Sequence, residues 1–121
     1  MGWGGLDQRA FPRFRVRCDI LIGPPKGGLI KAQTQNLGAG GVCIILHQEL
    51  EKLSTVQLEL GLEEGAPPIQ CDGRVVWMVR SGELVSRNVL FDTGIEFVNL
   101  KAEDHQRISS FIKGSGSPEV K

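Results

Sequence analysis

From Phe14 to Ile22 the chain alternates without a fault, with Phe14, Val16, Cys18, Ile20 and Ile22 at one parity and Arg15, Arg17, Asp19 and Leu21 at the other. A period of two puts one set on each side of an extended chain, so this stretch is a strand with one face buried. The pattern then recurs between turn signals. Gly23-Pro24-Pro25-Lys26-Gly27-Gly28 precedes Leu29 to Leu37, and Asn36-Leu37-Gly38-Ala39-Gly40-Gly41 leads into Val42 to Leu46. Val56, Leu58 and Leu60 alternate with Gln57 and Glu59, and Ile69, Cys71, Val75, Trp77 and Val79 share one parity beyond Glu63 to Pro68. Gly73 reads as a bulge or bend in that long strand. Phe91, Thr93, Ile95 and Phe97 make the last alternating run, after a hairpin break at Ser81-Gly82-Glu83.

Past Asn99 the period changes. Leu100, Asp104, Ile108, Phe111 and Ile112 follow helical spacing, with Glu103 and Asp104 near the positive end of the helix dipole. Six short strands and a closing helix predict an all-β fold with one C-terminal helix, a six-stranded antiparallel barrel that leaves few exposed edges. The 121 residues suffice for one hydrophobic core, not two. The domain is expected over residues 13–113, between a flexible N-terminal segment at 1–12 and a flexible tail at 114–121.

Net charge is zero, but Met1 to Gln35 carries six basic residues against two acidic, and the remainder eight against twelve. Such an asymmetry draws a small polyanion to the N-terminal region, while a neutral total disfavours a general DNA binder. Cys18, Cys43 and Cys71 are odd in number and lack a Cys-x-x-Cys pattern, so free buried thiols are expected, with neither a disulfide framework nor a metal site. No apolar stretch reaches the roughly 20 residues that span a bilayer, and no secretory leader is visible; a cytoplasmic protein is expected. His47 and His105 are isolated, no triad-like grouping is visible, and the glycine turn lacks the Gly-Lys-Ser/Thr of a P-loop. Neither enzymatic activity nor a cofactor is expected.

Arg9 and Arg13 lie four positions apart in Gln8-Arg9-Ala10-Phe11-Pro12-Arg13. A guanidinium can grip phosphate through two parallel donors, pair with guanine O6 and N7, or stack on a base. Asn36 can accept from a guanine N–H while donating elsewhere, and Gly38, Gly40 and Gly41 permit positive φ and close backbone approach. Taken separately, the arginines read as a solvated strand end and Asn36 with its glycines as an ordinary hairpin turn.

Together these residues resemble the PilZ domain family of bacterial cyclic di-GMP receptors. That family is marked by Arg-x-x-x-Arg and then Asp/Asn-x-Ser-x-x-Gly, matched here by Arg9 and Arg13 and by Asn36 and Gly41. Gly73-Arg74-Val75-Val76-Trp77 is similar to its Gly-x-Val-x-Trp strand, and Gly94-Ile95-Glu96-Phe97 to its Gly-x-x-Phe strand. The resemblance implies a non-enzymatic receptor in which ligand folds the N-terminal arginine segment over the barrel and changes the face shown to a partner protein. It implies a cyclic di-GMP site at Arg9, Arg13, Asn36, Gly38 and Gly41, with further contacts from Gln8, Ala10 and Trp77. Trp77, in phase with Val75 and Val79, is expected on the core face, with ligand stacking as the alternative. Gly38 stands where the family has Ser, and Gln8, in place of an arginine, leaves one guanidinium fewer for a second ligand.

Two other readings stay open. One is a PilZ-like interaction module without nucleotide binding; the other is a small RNA-binding barrel, for which the stacking residues are few: five Phe, two Trp and no Tyr. No DNA and no membrane insertion are expected, and the chain is expected as a monomer or weak dimer.

Overall fold

The computed structural model describes residues 13–82, 89–115 and 117–118. The chain runs β1 (Arg13–Arg15), β2 (Asp19–Gly23), β3 (Ile30–Gly38), β4 (Gly41–Leu46), β5 (Thr55–Gly61), β6 (Ile69–Gly82) and β7 (Val89–Val98), then helix α1 (Ala102–Ser115) and a two-residue β8 (Ser117–Pro118). Strands β2-β5-β6-β7-β4-β3 are hydrogen-bonded in that order, and a further β2–β3 pairing closes them into a six-stranded antiparallel barrel. β1 lies outside the ring, between the end of β3 and β8.

Alternation builds the interior as the sequence predicts. Ile20, Ile22, Val42, Ile44, Leu46, Val56, Leu58, Leu60, Ile69, Val75 and Ile95 form one buried cluster, and α1 adds Ile108 and Ile112 to it. The helix carries Glu103 and Asp104 in its first turn and Lys113 in its last, which matches its dipole. Arg107 ties it to the β5–β6 connection by donating to the Pro67 carbonyl at 2.7 Å. The helix takes in Gly114 and Ser115, where the sequence suggests a tail, and Ser117 and Pro118 pair with Arg15 and Phe14.

Three details differ from the sequence reading. The first expected strand is two strands, β1 and β2, although its burial still alternates through Val16, Cys18 and Ile20. Thr34, itself buried, bridges the break. Its Oγ1 accepts from the Cys18 N–H at 2.9 Å and donates to the Val16 carbonyl, while its own N–H donates to the Cys18 carbonyl at 2.9 Å.

Gly73 is not a bulge. It pairs in register with Val56 and Phe97, and a Cβ there would lie 2.6 Å from Ile95 and 2.7 Å from Leu58, so it is a glycine for want of space.

The register shift falls between Val75 and Trp77 instead. One extra residue reverses every later side chain. Met78 therefore packs against the core and Val79 is 55% exposed, the reverse of the phase expected for the run through Val79.

Candidate functional site

The two hallmark segments meet through backbone pairing. Arg13 in β1 is the ladder partner of Gly38 at the end of β3, and Phe14 is the partner of Leu37. This places the second motif arginine directly beside the glycine turn. Gln8, Arg9 and Ala10 lie outside the described residues, as does the whole expected switch segment.

A second register shift, between Thr34 and Asn36, shapes the other half of the site. Leu37 turns into the core with Val42, and Asn36 faces outward opposite Cys43. Asn36 is nonetheless only 7% exposed and Cys43 only 6%. Gly38 and Gly41, which flank the turn, are buried too. Positive φ, which the sequence analysis allows for these glycines, is found among the described glycines at Gly27 and Gly65 instead.

Trp77 comes into the same belt from the far side. Asn36 pairs with Cys43, Cys43 with Gly94 and Gly94 with Trp77, so the four positions form one row across β3, β4, β7 and β6. A Cβ on Gly94 would sit 2.3 Å from the Trp77 Nε1 and Cε2, so the indole lies directly over this glycine. The expectation of a core tryptophan is corrected by the bulge that precedes it: Trp77 packs flat on the outer wall. Its edge is still sheltered, since Nε1 is buried.

Sequence reasoning missed Gly94 and Cys43 as members of this row, and with them Glu96, the ladder partner of both Gly41 and Arg74. The signal was present in the pairing of a Trp-ending strand with a Gly-beginning one. Gly94 makes room for Trp77, so the two downstream motifs are a single structural feature. A depression of about 460 Å3 at the β2–β3 side is lined by Arg17, Lys31 and Asp19 together with Gln35, the residue before Asn36.

Among the described residues no group of three or more His, Cys, Asp or Glu could hold a metal ion. Cys18, Cys43 and Cys71 are free thiols. Burial pushes the Cys18 and Cys71 thiols up to about 11, with the neighbouring Asp19 and Asp72 carboxylates acting in the same direction and Thr34 opposing the rise at Cys18. Thiols so protonated are poor nucleophiles.

The PilZ domain model matches residues 7–114. The chain belongs to the PilZ domain family. PilZ domains are non-enzymatic receptor domains. The fold is similar to the PilZ domain with c-di-GMP of YcgR from Escherichia coli, with TM-score 0.71 and 13% identity over 88% of this chain and 90% of that one. It is similar also to MotI/DgrA, the Bacillus subtilis inhibitor of motility, with TM-score 0.70 and 19% identity over 86% of this chain. The K. pneumonia MrkH–c-di-GMP complex gives TM-score 0.65 and 18% identity, again over 86% of this chain. The chain spans 49% of the length of MotI/DgrA and of MrkH. None of the curated proteins compared matches it. No helix among the described residues is long and apolar enough to cross a membrane.

Proposed function

We propose that this domain is a receptor for cyclic di-GMP, which it holds on the outer wall of the barrel between the N-terminal arginines and the glycine turn. Arg9 and Arg13 grip phosphate and guanine, Asn36 bonds a base edge, and Gly38 and Gly41 let the ligand approach the backbone. Gln8 and Ala10 flank it, and Trp77 offers an apolar face at the end of the row. The observation that carries this reading is the Arg13–Gly38 register, which joins two motifs far apart in sequence at one place on the wall. Membership of the family and the c-di-GMP in the similar YcgR domain support it. Ligand would order residues 1–12 against this wall and alter the surface available to a protein partner, a switch driven by contacts made only in the closed state.

Isothermal titration against cyclic di-GMP, GMP, GTP and an unrelated oligonucleotide tests the proposal. Saturable binding confined to the cyclic dinucleotide is expected, and Arg9→Ala or Arg13→Ala should each weaken it by about 1.5 to 3 kcal/mol with the circular dichroism spectrum unchanged. Absence of saturable heat would leave the second reading, a nucleotide-free interaction module, which the replacement of the family's Ser by Gly38 favours.

A further inference from the structure

β6 has one edge only partly used. β5 flanks it on one side from Ile69 to Arg74, and β7 flanks it on the other from Asp72 onward. At Val75 the β5 side ends in two bonds to the connecting loop: the Leu53 N–H donates to the Val75 carbonyl at 2.7 Å, and the Val75 N–H donates to the Ser54 carbonyl at 3.0 Å. β7 continues alongside to Gly82, but among the described residues no strand lies on the other side from Met78 onward. An extended chain with β7 on one side only presents a row of backbone donors and acceptors, which is a template for another strand.

The side chains along this edge are those of a contact surface. Of the large hydrophobic residues that stand out into solvent, Val79 is 55% exposed on the edge itself, and Leu53 is 67% exposed where the edge begins. Leu53 is also held at φ 69°, a left-handed backbone that disfavours a bulky side chain. Strain of this kind persists only where the surrounding structure holds it, and here the Leu53 N–H is fixed to Val75, which leaves the side chain projecting at the edge. Beneath the edge lies a depression of about 650 Å3 lined by Leu50, Met78 and Phe91, with Glu49, Glu51, Lys52 and Arg80 around it.

We propose that two copies of this chain join through these β6 edges, antiparallel about a twofold axis, so that their barrels share one continuous sheet. The twofold keeps outward faces outward, so directly opposite residues must have the same parity, which leaves few registers. Centring on Arg80 would set Arg80 against itself, and like charges directly opposite are destabilising. Centring on Met78 would run Arg80 into the bulge at Val76. Centring on Val79 keeps Arg80 clear of both: Val79 meets Val79, each Arg80 lies opposite the other copy's Met78, above the depression bordered by Glu49, Glu51 and Lys52, and it is Gly82, without a side chain, that comes opposite Val76. Self-pairing of one edge in this way is closed, so it ends at a dimer.

Analytical ultracentrifugation of the full chain over a wide concentration range, with and without cyclic di-GMP, reads the outcome independently of the ligand proposal. The wild type should reach a dimer mass and stop there. Val79→Glu and Val79→Arg should each weaken the dimer by roughly a hundredfold or more, since the introduced like charges face each other, and an equimolar mixture should restore it as a heterodimer. Because Val79 is exposed, both variants should keep the wild-type melting temperature at concentrations low enough for the wild type to be monomeric. A wild type that stays monomeric in both conditions overturns the proposal, as do a dimer that survives in both variants, masses that grow beyond the dimer, and a mixture that fails to associate.

Discussion

The wall made by β2 and β5 and the wall made by β3, β4, β7 and β6 belong to one barrel but follow different rules. β2 and β5 pair from Asp19 with Gly61 to Gly23 with Gln57 without a shift, and their side chains alternate between core and solvent. The other wall is interrupted twice, at Thr34/Asn36 and at Val75/Trp77, and each interruption sends a polar or aromatic side chain outward where an unbroken strand would not. Regularity fills the interior; irregularity furnishes the surface. Of the described candidate-site residues, Asn36, Gly38, Gly41 and Trp77 lie on the interrupted wall, and Arg13 joins it through β1.

The sharpest contrast between the walls should come from deleting core volume on the regular one. Ile20→Ala, at a fully buried β2 position, should cost about 2 to 5 kcal/mol of stability in chemical denaturation while leaving ligand affinity in the folded fraction unchanged. A comparable loss of affinity would mean the two walls are not separable. On the interrupted wall, Gly94→Ala drives a methyl group into the Trp77 ring and should cost about 1 to 3 kcal/mol, with a shift in tryptophan emission and weaker binding. Unchanged emission would show that the indole does not rest on this glycine.

Gly38→Ser should have the smallest effect, a gain of about 0.5 to 1.5 kcal/mol in affinity for cyclic di-GMP from one added hydroxyl. Because Gly38 is not among the glycines with positive φ, the backbone accepts Ser without left-handed strain, and the melting temperature should hold. Weaker binding at unchanged melting temperature would mean that this turn meets the ligand by a different geometry.

On the regular wall the alternating parity was enough to tell which side chains of β2 and β5 face the core, although not to find the break between β1 and β2. The helix was equally readable from Ile108 and Ile112, which both reach the core. The β6 bulge was not, because a single inserted residue leaves no mark in a hydrophobic run: Val75, Val76, Trp77, Met78 and Val79 are all apolar, so either phase fits. Gly73 drew attention as a break when its role is to let Ile95 and Leu58 close over it. At the site, the motif residues Asn36, Gly38 and Gly41 could be named from order and spacing. That Arg13 lies against Gly38 could not, because it depends on β1 joining β3 beyond the point where β2 leaves it.

That departure has a mechanical meaning. Barrel closure is complete from Asp19 onward through pairs with Gln33 and Gly61, and the Thr34 hydroxyl fastens the chain at Val16 and Cys18. A pull on β1, which lies outside the ring and is held by β3 and β8, is therefore arrested at that fastening, so the hoop of strands behind it carries none of the load.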